Sequence, residues 1–304
     1  MSTERKALVW MMVAVVLTVA AASAAADWGF GTPVNLGALV NSSAGEGSPE
    51  ISADGLELYF NSARPGGYGG TDIWVAKRTT QDAEWGKAEN LGPVVNTAAN
   101  ETAPTISSDG LELYFCDYQS PRPSGSGNSD IWVTRRATQG APWGPPANLG
   151  PLVNSPSNEV TPEVSFDGLE LYFECDRPGG LGSDDLWVAR RATRKETWGR
   201  AVWLGATINT SSMEHCPNIT SDGLTLFFDL TPAGGSAGDL MVTYRATLDE
   251  DWGKPVNLGH VQSDHWASSV ATGGTFMYYA SARPGGSGGN DAWRIPLIYT
   301  APAP

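Results

Sequence analysis

Only three cysteines and three histidines occur in 304 residues, and no more than 17% of the chain is charged. Cys116, Cys175 and Cys216 cannot make a disulfide framework, because an odd count leaves at most one internal pair and a spare thiol. Basic residues are scarce as well: 19 Lys and Arg face 33 Asp and Glu, for a formal charge of −14. Such a field repels phosphate backbones and anionic lipid. It argues against nucleic acid and membrane surfaces, and favours cations, basic partners or neutral ligands such as glycans. No window holds a helical period, and no nucleophile elbow, phosphate loop or zinc-protease motif is present. The single long apolar run, Ala7 to Ala21, follows Arg5 and Lys6 and precedes Ala24-Ala25-Ala26. That order predicts a signal peptide over residues 1–26, a soluble mature chain from Asp27 and no membrane insertion after cleavage.

What is plentiful is glycine (36) and proline (21), with 10% aromatics, a composition suited to many short strands joined by tight turns. The segment P-E-I-S-A-D-G-L-E-L-Y-F, Pro49 to Phe60, returns with small changes at Pro104 to Phe115, Pro162 to Phe173 and Pro217 to Phe228. A degenerate fifth copy runs from Ala267 to Tyr279. Each copy is followed by a Pro-Gly-rich loop and a D-x-W-like strand starting at Asp72, Asp130, Asp185, Asp239 and Asp291. After the first four comes W-G-x-x-x-N-L-G or a close variant, from Trp85, Trp143, Trp198 and Trp252. Self-similarity at this spacing is the signature of a repeat architecture. Asp-Gly pairs at 54, 109, 167 and 222 signal tight hairpins, and the alternation in L-x-L-Y-F suits strands.

Four short strands per copy, repeated radially, make propeller blades. The fifth copy lacks its W-G element, and that element stands at the other end of the chain, Trp28 to Gly37. The expected fold is therefore all-β: a five-bladed β-propeller of four-stranded antiparallel blades over residues 27–299, its ring closed by the N-terminal strand (28–37) completing blade 5. The blades are expected at about 46–92, 100–150, 158–205, 213–259 and 264–298, with a tail at 300–304. The pattern resembles the WD40-like repeat of TolB-type propellers, in the long variant carrying S-x-R-P-G-G-x-G-x-x-D-I-W. It covers essentially the whole mature chain. The resemblance implies a bacterial envelope, periplasmic or secreted setting, and says less about activity, since propellers host binding, scaffolding and catalysis alike.

Five copies in one chain control for one another. Nine tryptophans recur in pattern and read as blade packing; Trp203 and Trp266 do not. Trp203 stands where Asn35, Asn90, Asn148 and Asn257 stand elsewhere, and is expected as a surface aromatic. His215 and His265 take equivalent places in blades 4 and 5, with Cys216 beside the first and His260 just before the second. Glu46, Glu101, Glu159 and Glu214 each precede the repeated proline by three residues, and Asp264 takes that place in blade 5. Because first strands line a propeller's channel, these five should ring one mouth, joined there by Asp117, Glu174, Asp229, Cys116, Cys175 and the arginines Arg64, Arg122, Arg177 and Arg283. A repeated Glu with a repeated Arg also reads as an ion pair or loop cap, and the aspartate of D-x-W as a turn-amide acceptor rather than a calcium ligand. Cys175 and Cys216 are expected close together.

The candidate ligand-binding residues are thus Glu46, Glu101, Glu159, Glu214, His215, Asp264, His265 and Trp266. The expected function is a non-catalytic, monomeric binding or scaffold propeller for an envelope glycan, peptidoglycan-associated or protein ligand, with no cofactor. The alternative is a glycoside hydrolase using Glu159, Glu214 and Asp264, in which one carboxyl protonates the leaving oxygen and another acts as base or nucleophile. A third reading, divalent-metal binding, rests on His215, His265 and Cys216.

Overall fold

A computed structural model describes residues 27–119, 121–235, 238–259, 266–270 and 275–300. The predicted leader, His260, Asp264, His265 and the last four residues lie outside the described residues. No helix among the described residues is long and apolar enough to cross a membrane.

The chain opens with two short strands, β1 (Asp27–Phe30) and β2 (Val34–Asn35). Blade 1 holds β3 (Glu46–Ile51), β4 (Glu57–Ser62), β5 (Asp72–Lys77) and β6 (Glu89–Asn90). Blade 2 holds β7 (Glu101–Ile106), β8 (Glu112–Asp117), β9 (Ile131–Arg135) and β10 (Ala147–Asn148). Blade 3 holds β11 (Glu159–Val164), β12 (Glu170–Cys175), β13 (Asp185–Arg190) and β14 (Val202–Trp203). Blade 4 holds β15 (Met213–Ile219), β16 (Thr225–Thr231), β17 (Asp239–Tyr244) and β18 (Val256–Asn257). Blade 5 holds β19 (Trp266–Val270), β20 (Phe276–Ser281) and β21 (Asp291–Thr300). The strands in each blade pair in sequence order and antiparallel. The five first strands contact one another in a circle, β19 returning to β3.

The N-terminal segment does complete blade 5. Val34 and Asn35 pair with Arg294 and Trp293, and Trp28 pairs with Tyr299. The repeat makes this closure chemically specific. In every blade the D-x-W aspartate accepts a bond from the outermost strand: Asp72 from Asn90, Asp130 from Asn148 and Asp239 from Asn257. Asp291 takes the same bond from Asn35 at 2.8 Å, across the whole length of the chain. Trp203, expected as a surface aromatic, keeps the bond by another atom, its indole Nε1 donating to Asp185 at 3.2 Å. The same carboxylates also take turn amides: Tyr68 N donates to Asp72 Oδ2 at 2.6 Å, the oxygen that Asn90 also reaches. A Cβ at Gly67 or Gly180 would fall 1.9 Å from that carboxylate, so the second glycine of R-P-G-G is required.

Blades meet through a repeated seam. Trp143 of blade 2 lies edge-on to Tyr59 of blade 1, as Trp198 to Tyr114 and Trp252 to Tyr172. Beneath each tryptophan an arginine of the same blade, Arg136, Arg191 or Arg245, reaches the preceding blade's Glu57, Glu112 or Glu170 at 2.5–2.8 Å. Burial opposes the charge on each of these carboxyls. The bonds from the arginine and from the blade's own tyrosine outweigh it and hold all three below the usual range.

Candidate functional site

The first strands begin at one face of the ring, and there each of blades 1–4 carries a bulge. Its central residue, Ser48, Ala103, Thr161 or Cys216, has a positive φ of 45–54°. The bulge turns that residue's N–H toward the preceding blade. Ala103 N donates to Asn61 at 3.3 Å, and Cys216 N donates to Glu174 at 3.0 Å. Asn61, Cys116, Glu174, Asp229 and Ala280 therefore occupy one repeated place, one residue before the point where strand two meets the mouth.

The glutamates expected around that mouth are held behind it. Glu46, Glu101, Glu159 and Glu214 are 1% exposed or less. Each accepts from the backbone N–H and the hydroxyl of a residue four positions earlier: Ser42, Thr97, Ser155 and Thr210. The first three also bind Arg64, Arg122 and Arg177 at 2.6–3.0 Å. Glu214 has no such arginine, because blade 4 carries Thr231-Pro232 in place of the Arg-Pro of the loop, and burial pushes its carboxyl up. Burial likewise raises Glu159, which takes a further contact from Cys175 Sγ at 3.0 Å. These carboxylates pin the loop that crosses from one blade to the next. In blade 5, Arg283 Nη2 is buried with no hydrogen-bond partner among the described residues.

The channel wall carries a second acidic pair. Glu50 and Glu163 line it with the repeated prolines, and each is at least nine-tenths buried. Thr105 Oγ1 lies 3.0 Å from Glu163 and 3.4 Å from Glu50. One hydroxyl proton cannot serve both carboxylates. Burial, reinforced by the charge of Glu50, holds Glu163 well above the ordinary range.

At the mouth the chemistry gathers between blades 3 and 4. Glu174 accepts from Thr161 Oγ1 at 2.8 Å as well as from Cys216 N. His215 lies opposite Asp229 in the β15–β16 pairing, with its Nε2 2.9 Å from Thr231 Oγ1 and its Nδ1 3.4 Å from Cys216 Sγ. Asp229 Oδ2 is buried and has no hydrogen-bond partner among the described residues. Burial raises Glu174 to about 7 and Asp229 to about 8. Asp184, pushed up to about 6 by burial and by Glu174, stands beside them. Burial lowers His215 to about 4. Tyr118, 45% exposed, and the exposed Asp176 flank the group.

Among the described residues the anomalies His215 and Cys216 meet Glu174 at the seam of blades 3 and 4. The cluster expected between blades 4 and 5 includes His260, Asp264 and His265, which lie outside the described residues. One sequence expectation changes: the alignment of His215 with His265 is off by one residue. Trp266 pairs with Ala280 as His215 pairs with Asp229, so Trp266 occupies the histidine's place. The three cysteines are buried and none forms a disulfide. Cys175 rests on Glu159 and Arg177, whereas Cys216 rests on His215, so the two thiols have separate surroundings.

No protein-family model matches the sequence, and no curated protein is similar to it. Solved structures share the fold. TolB from Acinetobacter baumannii superposes with a TM-score of 0.52 at 15% identity, over 82% of this chain and 53% of that protein, so the chain spans about half its length. The catalytic domain of an α-L-arabinofuranosidase from Coprinopsis cinerea gives 0.58 at 11% identity, over 90% of this chain and 98% of that one. An endo-arabinase from Bacteroides thetaiotaomicron gives 0.57 at 14%, over 86% and 98%. At such identities the likeness is one of fold.

Proposed function

We propose that the chain is an exported binding propeller of the TolB type, acting as a monomer in the periplasm, the envelope or outside the cell. Its ligand is an envelope glycan, a peptidoglycan-associated molecule or a protein, held at the mouth between blades 3 and 4. One observation carries this reading. Glu46, Glu101, Glu159 and Glu214 are committed to loops, while Glu174, Asp184, Asp229 and the exposed Tyr118 are gathered at one seam. Carboxyls beside an exposed aromatic ring suit hydroxyl-rich or cationic groups. The buried glutamates then act from behind, fixing the loops that frame the mouth, and Trp266 belongs to the adjoining first strand. The net charge of −14 argues against nucleic acid and anionic lipid as partners. The test is a glycan array with a peptidoglycan pull-down. Tyr118→Ala and Asp184→Asn should each weaken capture about tenfold, in the range of one interface contact; capture that ignores both substitutions counts against this site.

Glycoside hydrolysis is the second reading, favoured by the raised carboxyls of Glu174 and Asp229, since a general acid must hold its proton at neutral pH. The acids first considered for that role, Glu159 and Glu214, are bonded within their own loops. Release of an aryl aglycone from arabinofuranosides, abolished by Glu174→Gln, would favour the enzyme over the binding module.

A further inference from the structure

The seam between blades 3 and 4 brings three different metal-binding side chains together. One donor atom each from Glu174, His215 and Cys216 lies within 4.8 Å of the other two, the only such group of three among the described residues. The other seams show what the repeat itself requires at these places. Blades 1 and 2 meet there through Asn61, Thr102 and Ala103, and blades 2 and 3 through Cys116, Val160 and Thr161. The backbone, including the positive φ of the bulge, is the same in each. Folding therefore does not demand a carboxylate, an imidazole and a thiol together.

We propose that Glu174, His215 and Cys216 bind a divalent transition metal, zinc by preference, at the mouth of the channel. Nitrogen, sulfur and oxygen donors in one set suit zinc and exclude calcium and magnesium, which take oxygen alone. The 3.4 Å between His215 Nδ1 and Cys216 Sγ is close to the about 3.6 Å that two such ligands span on a tetrahedral zinc. Thr231 Oγ1 lies 2.9 Å from Nε2, within reach to accept its proton in the tautomer whose Nδ1 lone pair faces the thiol, the one a metal requires. Thr161 Oγ1 and Cys216 N both donate to Glu174 Oε2, orienting its carboxylate. The independent observation is Asp229. Only 4% exposed, it lies opposite His215, its Oδ2 has no hydrogen-bond partner among the described residues, and Glu174 is its electrostatic neighbour. A cation bound among these groups balances carboxylates that otherwise oppose one another in a buried place. Binding displaces the thiol proton of Cys216, so uptake of one zinc releases protons to solvent.

The experiment loads the full-length protein, kept reduced, with Zn2+ and separately with Co2+, which reports its ligands by absorption. One ion per chain is expected, with a thiolate-to-cobalt charge-transfer band and the visible bands of a four-coordinate ion. Glu174→Asn, His215→Thr and Cys216→Ser each install a residue that another blade carries at that place, so the fold should survive. Circular dichroism and an unchanged melting temperature without metal check that it does. Each substitution should weaken zinc at least about a hundredfold, Cys216→Ser should erase the charge-transfer band, and Thr231→Val should cost about tenfold. Absence of saturable uptake overturns the site, as does uptake that survives Cys216→Ser or is lost only with His260→Ala or His265→Ala. No glycan takes part, so failure here leaves the ligand-binding proposal standing.

Discussion

Three of the seams between blades and the two that flank blade 5 solve the same packing problem with different chemistry. Between blades 1 and 2, 2 and 3, and 3 and 4, a buried arginine under a tryptophan crosses to a glutamate that a tyrosine also holds. At the two seams that flank blade 5 the glutamate of that device is missing. Phe276 takes the glutamate's place opposite blade 1, and Thr225 takes it in blade 4. Arg78 keeps its stacking on Trp85 and its bond to Gly55 O, but has no acid across the seam among the described residues. Apolar contacts fill in: Trp28 lies edge-on to Phe227, 5.3 Å between ring centres, and donates to Tyr244 Oη at 2.7 Å. Charge thus fastens blades that are contiguous in sequence, and rings fasten the blade assembled from both ends of the chain.

The comparison breaks most visibly if its closing element is removed. Deleting residues 27–41 takes away Leu36, Val40 and Asn41 from the core and bares the edge of β21. Loss of a single cooperative transition in urea, followed by tryptophan fluorescence, is the expected result; a full-amplitude transition would show that blade 5 stands without the segment.

Next come the arginines. Arg245→Ala should cost about 3–5 kcal/mol, because it leaves Glu170 buried without its main partner. Arg78→Ala should cost about 1 kcal/mol, the scale of its stacking and one hydrogen bond. Equal losses in the same denaturant series would erase the distinction between the two kinds of seam.

The pH profile separates the ionised seams from the crowded mouth. Glu57, Glu112 and Glu170 have depressed pKa values in the fold, so their contribution is present above the ordinary carboxylate range and is lost as pH falls through their lowered values. Asp184, Glu174 and Asp229, raised to about 6, 7 and 8, act the other way. They contribute fully below their unfolded values and lose that contribution as pH rises toward 8. His215, lowered to about 4, offsets one of the three between its unfolded value and that point. Urea midpoints in metal-free buffer should therefore peak at mildly acidic pH and decline toward pH 8, and Asp229→Asn should flatten the decline. A midpoint that climbs steadily to pH 8 would contradict the protonated mouth.

The smallest effect is a repair. Phe276→Glu restores an acid opposite Arg78 and should change stability by no more than about 1 kcal/mol, since ion-pair gain offsets lost ring burial. A loss of several kcal/mol would mean that the aromatic seam cannot be exchanged for the charged one.

The fold was legible because the repeat states it five times, and because the W-G element missing at one end is present at the other. Trp203 shows how far such pattern reading goes: the substitution was visible, but its reason is one hydrogen bond to Asp185 that an indole can supply as well as an amide. In blade 5 the alignment slipped because no proline marks the residue after the bulge. The sequence puts Ala267 at the proline's place, whereas the pairing of Ser269 with Tyr278 puts Ser268 there. The mouth was only partly legible. His215 and Cys216 stand out by rarity, whereas Glu174 and Asp229 are placed at the mouth together with Asp117 and nothing within one copy sets them apart from it. They separate from it when the strand-two place is compared across blades as Asn61, Cys116, Glu174, Asp229 and Ala280. That Glu174 meets the next blade's His215 and Cys216 follows from the turn of the bulge, which no spacing within one copy reveals.

Asp27 and Thr300 face each other as paired residues on the last strands of blade 5. Both ends of the propeller therefore leave from the same rim, on the side opposite the innermost strand β19. A domain fused to either end would be tethered at one address, clear of the channel. A short linker from 300 to 27 could make the chain circular, or allow it to start at an exposed loop such as 247–250, with the order of the blades unchanged.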